Sequence, residues 1–189
     1  MSTKKREPLR IYQLKVTLQG LRPPIWRRLL VRSDATLERL HQTLQIAMGW
    51  TNSHLHEFVA REGHYGEPHP DYMDEVEDER RVRLAQVLAE PKDKMIYVYD
   101  FGDAWEHEVL LEKILEPEPG VRYPVLVAGK RACPPEDVGG VFGYAEFLDA
   151  IADPSHPEHE DYLDWVGDGF DPEAFDPEEV NRELDYVRR

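Results

Sequence analysis

The sequence predicts an α+β fold: an antiparallel sheet with one helix after its second strand and a cluster of helices towards the C-terminus. Three observations carry that reading. Apolar and polar residues alternate with period 2 over residues 9–19 and 105–115, the mark of strands buried on one face. Apolar residues recur at helical spacing at Leu37, Leu40, Leu44, Ala47 and Met48, and again at Tyr144, Phe147, Leu148 and Ile151. Strands come first and helices late, which suits segregated layers and not alternating βαβ units.

Taken in order, residues 9–19 place Tyr12, Leu14, Val16 and Leu18 on one face and Gln13, Lys15, Thr17 and Gln19 on the other. Gly20 ends this strand, Pro23-Pro24 enforces an extended connection, and residues 25–32 read as a second strand. Arg28 and Arg32 there share parity with Trp26 and Leu30. Asp34 or Thr36 can cap the following helix and Gly49 can close it. His41 flanks the helical stripe as a packed histidine. Residues 53–61 read as a strand with His54, His56 and Phe58 on one face. Residues 62–75 lack apolar periodicity and read as a long loop. The charge-dense residues 75–81 are expected to be exposed, and 82–88 form a short strand or helical turn.

The centre of the chain is YVYDFGDAWEHEVLLE, residues 97–112. Runs 95–101 and 105–115 flank Gly102, Asp103 and Ala104, which predicts a hairpin with a short glycine-containing loop. Trp105, His107, Val109 and Leu111 share one face, and Glu106, Glu108 and Glu112 the other. His107 is thus on the apolar side and needs a polar partner; Asp100 and Asp103 are nearest in sequence. Beyond a turn-rich break, residues 123–128 suggest an edge strand. CPPEDVGG, residues 133–140, is a shaped loop opening into a helix. Residues 158–166 suggest a second short helix, and Asp171-Pro172 and Asp176-Pro177 resemble helix starts with proline at the first position. The expected organisation is a flexible N-terminus over residues 1–8, a main α+β domain over 9–152, and a helical extension over 153–189 packed on that domain.

The formal net charge of −15 argues against a general nucleic-acid partner, because neutralising phosphate needs positive charge. The charge is uneven: residues 1–61 carry 11 Lys/Arg against 4 Asp/Glu, and the remainder 12 against 34. This allows an acidic C-terminal part docked on a basic N-terminal part, or an anion-binding face built from Arg22, Arg27, Arg28 and Arg32. A single cysteine, Cys133, excludes an internal disulfide and any multi-cysteine zinc site. No run reaches transmembrane length and the N-terminus has no apolar signal core, so a cytoplasmic protein is expected.

His54-x-His56 is the most metal-like feature, since residues two apart on a strand point the same way. His107 would supply a third ligand, with Asp100, Asp103 or His64 nearby. A divalent ion such as zinc with an open position would then activate water. Cys133 beside Glu136 and Asp137 reads as a small packed residue, because no histidine or adjoining helix start activates it. Gly139-Gly140-x-x-Gly143 lacks both the Walker ending and the Rossmann spacing.

With IYQLKVTL, PPIWRR, LHQTLQIAMGW, SHLHEF, YDFGDAWEH and CPPEDVGG followed by GY in view, the chain resembles the Ri-plasmid ORF-three-like family over residues 9–152. Members are small proteins sometimes labelled transposon resolvases. The resemblance implies a compact α+β fold, and its recurring polar residues fall on His54, His56, Asp100, Asp103, Trp105, His107, Cys133, Glu136 and Asp137. A serine recombinase is not expected, because Ser2, Ser33, Ser53 and Ser155 all lack its setting.

No complete catalytic set is present, so the leading expectation is a non-enzymatic binding or accessory module, associated with mobile elements. Its groove would be lined by the hairpin and the 133–140 loop, needing no cofactor, with a protein or small molecule as partner. The first alternative is a metal-dependent hydrolase or nuclease using the histidines. The second is a nucleic-acid accessory protein using the arginine-rich strand.

Overall fold

The computed structural model describes residues 8–68, 76–167 and 169–188. The chain runs β1 (Ile11–Leu18), β2 (Trp26–Arg32), α1 (Leu37–Met48), β3 (His56–Ala60), β4 (Gly63–Gly66), β5 (Glu77–Asp78), α2 (Leu84–Val87), β6 (Lys94–Tyr99), β7 (Trp105–Leu115), β8 (Val125–Lys130), α3 (Gly140–Ala152), α4 (His159–Val166) and α5 (Pro177–Glu183). A short 3₁₀ turn, Leu184–Tyr186, follows. The strands form one sheet in the order β5-β4-β3-β6-β7-β1-β2-β8, antiparallel throughout except for the β4–β5 pair. The α+β reading therefore holds, with the helix after β2 and the late helices where the pattern put them.

Sequence chemistry explains the main elements. Thr36 Oγ1 accepts the Arg39 N–H at 3.2 Å, capping α1, and Gly49 closes it at φ 94° while donating to Gln45 O. Asp34, the other candidate cap, takes both arms of Arg32 at 2.9 Å instead. The expected hairpin is β6–β7, with Tyr97 opposite His107 and Tyr99 opposite Trp105. Alternate residues of β1, β6 and β7 are buried against one apolar core with α1, α3, Leu184 and Val187. Asp176 caps α5 by accepting from Glu178 and Glu179 N–H groups, whereas Asp171 closes a turn and starts no helix.

Three expectations change. The strand expected at 53–61 begins only at His56. The loop expected at 62–75 contains β4, paired with β3; residues 69–75 lie outside the described residues, as do 1–7. The charged 75–81 run is not all exposed, since Glu79 is buried.

Arg27 shares β2 parity with Leu29 and Val31 and points into the core, 2% exposed. Its Nε donates to Ala47 O at 2.7 Å and its Nη1 to Trp26 O and Lys130 O at 2.9 and 3.0 Å. The guanidinium lies 4.1 Å from the Phe175 ring centroid. One side chain thus ties the end of α1, β2, β8 and the C-terminal segment together. Burial pulls its pKa down to about 10, which leaves it charged at neutral pH. On the opposite face Arg28 binds Glu112 through two bonds of 2.7 and 2.9 Å, and Gln13 adds a third.

Arg27→Ala, which strands three carbonyls, should cost at least about 3 kcal/mol in urea unfolding, with Arg27→Lys recovering only part. The Arg28 hydrogen bonds hold Glu112 below the ordinary carboxylate range. Its stabilising contribution is therefore full above the unfolded pKa, about 4.3, and is lost as pH falls through the lower folded value. Between pH 7 and pH 3 the parent should lose more stability than Glu112→Gln.

Candidate functional site

Three loops meet at one end of the sheet: residues 50–55 after α1, the hairpin turn 100–104, and the 133–140 loop. Trp50 joins the first to the third, its Nε1 donating to Pro134 O at 3.1 Å while its ring stacks on Tyr99. The Glu136 carboxylate accepts from Thr51 N at 2.9 Å, Thr51 Oγ1 at 3.1 Å and the Tyr99 hydroxyl at 3.1 Å. Tyr99 OH in turn accepts the Ser53 N–H at 3.0 Å. Burial is the main reason the Tyr99 pKa rises to about 12, so the phenol keeps the proton it donates.

The hairpin turn is held as firmly. Asp100 Oδ1 accepts the N–H groups of Gly102 and Asp103 at 2.9 and 3.3 Å, and Asp100 N donates to Leu55 O. Asp103 Oδ2 accepts the Gly139 N–H at 3.1 Å. Gly140, at φ +68°, lies so close that a Cβ there would stand 2.6 Å from Asp103 O. Asn52, Asp100, Ala104 and Asp137 all adopt left-handed backbone, at φ 57°, 59°, 53° and 58°. Such strain gathers where the surroundings impose it.

This framework aims three carboxylates at one imidazole. His54 Nε2 lies 3.1 Å from Asp137 Oδ1, 3.6 Å from Glu136 Oε2 and 3.7 Å from Asp100 Oδ2. Asp137 Oδ1 is out of line for an N–H···O bond and the other two oxygens are too far, so Nε2 is buried without a hydrogen-bond partner. The ligand atoms of His54, Asp100 and Asp137 all lie within 4.8 Å of one another. Two atoms each about 2.1 Å from one ion stand about 3.0 Å apart at a right angle and about 3.4 Å apart at a tetrahedral angle. The Asp137 distance falls between those values, and the Glu136 and Asp100 distances lie about 0.2–0.3 Å beyond the tetrahedral one.

The other expected site residues go elsewhere. His54, His56 and His107 do not form the expected ligand set; among the described residues only His54, Asp100 and Asp137 close to within 4.8 Å. The reason is local: β3 starts at His56, so His54 lies outside the strand whose period-2 geometry would have aligned the pair. His56 binds Glu79 Oε2 at 2.8 Å and stacks on His41. His64, on β4, meets Glu57 at 3.2 Å. His107 is fully buried and donates from Nδ1 to Tyr97 O at 3.1 Å, so neither Asp100 nor Asp103 is its partner. Burial lowers its pKa to about 4 and keeps it neutral. Trp105 is core, tilted against Trp50. Cys133 lines a hollow of about 400 Å³ with Arg27, Trp50 and Phe175, and burial pushes its thiol pKa well up.

The arginines form no common anion face. Arg22 is exposed, Arg27 is internal, Arg28 is engaged by Glu112 and Arg32 by Asp34. A larger hollow, about 730 Å³, adjoins Arg32, Arg122 and Arg188, but these are bound to Asp34, Asp185 and Pro124 O. Sequence reasoning did not single out Tyr99, Glu79 or Asn52. Tyr99 carried a signal, since it shares β6 parity with buried Tyr97; Glu79 sat unmarked in a charged run.

An antiparallel α+β protein with a His–carboxylate cluster on convergent loops is the class this arrangement defines. More particularly, the chain belongs to the plasmid pRiA4b ORF-3-like protein family, whose model matches residues 10–179. It is similar to the uncharacterized protein y4hQ of Sinorhizobium fredii (strain NBRC 101917 / NGR234), 42% identical over 177 residues covering 93% of this chain and 91% of that one. It is also similar to a crystal structure of a protein of unknown function, MM3350 from Methanosarcina mazei Go1. There the TM-score is 0.83 and the identity 41%, over 92% of this chain and 99% of that chain. No helix among the described residues is long and apolar enough to cross a membrane.

Gly140→Ala combines a backbone clash with a left-handed φ, and should separate the 133–140 loop from the hairpin turn. Faster amide exchange at Gly102, Asp103 and Gly139, with β1–β7 protection unchanged, is the expected readout.

Proposed function

We propose that this protein is a binding module centred on a divalent metal ion, held where residues 50–55, the hairpin turn and the 133–140 loop meet. The ion would be held by His54 Nε2, Asp100 and Asp137, with Glu136 beside them. The supporting observation is the unpartnered, buried His54 Nε2 facing three carboxylate oxygens at 3.1–3.7 Å. Three carboxylates beside one imidazole repel one another unless a cation sits among them. A donor set of one nitrogen and several oxygens suits zinc or manganese better than a soft thiophilic ion.

A second reading, metal-dependent hydrolysis, draws on the same geometry. Three protein ligands leave a coordination position for water, and Asp137 is largely exposed, with 71% of its side-chain surface accessible. Any such chemistry would centre on His54, since His56 and His107 are committed elsewhere.

Full-length protein purified without chelator should carry close to one equivalent of zinc or manganese. Saturating ion at a hundredfold excess over Kd should stabilise stripped protein by about 2.7 kcal/mol. Asp137→Asn and Asp100→Asn keep a residue that tolerates positive φ and should weaken binding at least about tenfold without unfolding the chain. Metal-free protein that gains no thermal stability from either ion would overturn the proposal.

A further inference from the structure

His54 also borders a hollow of about 390 Å³ between α1 and the residues around Asn52 and Glu79. At its floor His56 Nε2 meets Glu79 Oε2 at 2.8 Å, with only 7% and 5% of the two side chains exposed. The His56 ring lies flat on His41, centroids 3.5 Å apart and planes 5° from parallel. His41 is fully engaged: Nε2 donates to Asn52 Oδ1 at 2.8 Å, and Nδ1 accepts the Tyr97 hydroxyl at 2.8 Å. Tyr97 OH accepts in turn from Gln45 Nε2 at 2.9 Å. Every polar atom behind His56 is therefore satisfied, and the network holds that ring in place.

The side facing the hollow is different. Glu79 Oε1 and His56 Nδ1 have no hydrogen-bond partner among the described residues, and neither is among the sealed orphan atoms. Both residues line the hollow, and these two atoms are their free polar groups among the described residues. A carboxylate this deeply placed forfeits much of its hydration; His56 serves one oxygen, and a donor brought into the cavity can serve the other. Glu38 and Glu67 add negative charge to the walls. Arg80, the positive group there, is bound through Nε and Nη2 to Asp78 at 2.8 and 2.9 Å. A bare metal ion is a poor match, since no His56–Glu79 set of three ligand atoms closes to 4.8 Å among the described residues.

We propose that this hollow is a second binding site, taking an organic cation: an alkylammonium or guanidinium group seated on Glu79 and His56. Its volume suits a small molecule or one long side chain. Charged donors reaching a desolvated carboxylate supply the strong hydrogen bonds of the site. The proposal stands without any metal at His54 and goes beyond that reading.

The test is isothermal titration of chelator-stripped full-length protein with three probes: agmatine, an acetylated and amidated Gly-Arg-Gly peptide, and uncharged N-butylurea as control. Agmatine or the peptide should bind at millimolar concentration or tighter, and N-butylurea at least tenfold more weakly. Agmatine alone would identify a free small molecule as the source, and the peptide alone an arginine side chain. Glu79→Gln should weaken binding at least tenfold. Should that buried variant fail to fold by circular dichroism, the Glu38→Gln, Glu67→Gln double variant decides instead, with an expected loss of threefold or more. No binding of either cation at 10 mM, equal binding of N-butylurea, or undiminished binding by the folded variant that decides would each overturn the proposal. Because the protein is metal-free throughout, none of these failures touches the reading of the His54 cluster.

Discussion

Two tyrosines on one strand set the layout of this molecule. Tyr97 and Tyr99 lie two residues apart on β6, so the pleat sends both rings into the core beneath α1. Each hydroxyl is buried too deeply to be left unsatisfied, and each has recruited a different part of the chain. Tyr97 OH gathers His41 and Gln45 of α1, and His41 supports the His56 ring. Tyr99 OH gathers Ser53 and Glu136, placing the 133–140 loop beside His54. His54 lies beside the Tyr99 ring and His56 beside the Tyr97 ring, so the two histidines serve different networks.

The loops that meet above Tyr99 are set by polar contacts and backbone strain rather than by apolar packing. Four non-glycine residues there sit at positive φ, a conformation that costs of order 1 kcal/mol or more each. The Asp100 carboxylate closing its own turn, the Asp103–Gly139 bond and the close approach of Gly140 to Asp103 O offset that cost. Asp100 divides its two oxygens, Oδ1 for the turn and Oδ2 towards His54. The same carboxylate builds the loop and faces the cluster, which is why the site lies on the hairpin.

Much of the framework was legible in the sequence because it depends on periodicity. The alternation along 105–115 marks β7, the leucine stripe with Gly49 marks α1, and Asp176-Pro177 marks α5. Arg27 was expected on an anion-binding face and lies in the core instead; its parity with Leu29 and Val31 was the overlooked signal. What the sequence concealed were matters of one or two residues of register and of tertiary contact. His-x-His implies a shared face only if both residues are in the strand, and β3 begins at the second histidine. Glu79 is surrounded by charged neighbours that do face solvent, and nothing local distinguishes the one that turns inward to His56. Asp100, Glu136 and Asp137 were legible as candidates, but their common focus on His54 arises from folding the 81 residues of intervening chain between the histidine and Glu136.

The segment between α1 and β3 shows how far the His54 cluster is prepared in advance. Thr51 binds Glu136, Asn52 N donates to Gln45 Oε1, Ser53 N donates to Tyr99, and Leu55 O accepts from Asp100 N. The residues on either side of His54 are thereby fastened to α1, β6, the hairpin turn and the 133–140 loop. An ion entering among His54, Asp100 and Asp137 would find the main chain already in place and would need only small side-chain adjustments. Binding to such a preorganised set avoids most of the ordering cost that a flexible loop would impose. The same fastening keeps His54 between its two neighbours, the carboxylate cluster and the hollow floored by His56 and Glu79. The cluster and the hollow therefore share one stretch of chain, held by hydrogen bonds that neither ligand would have to supply.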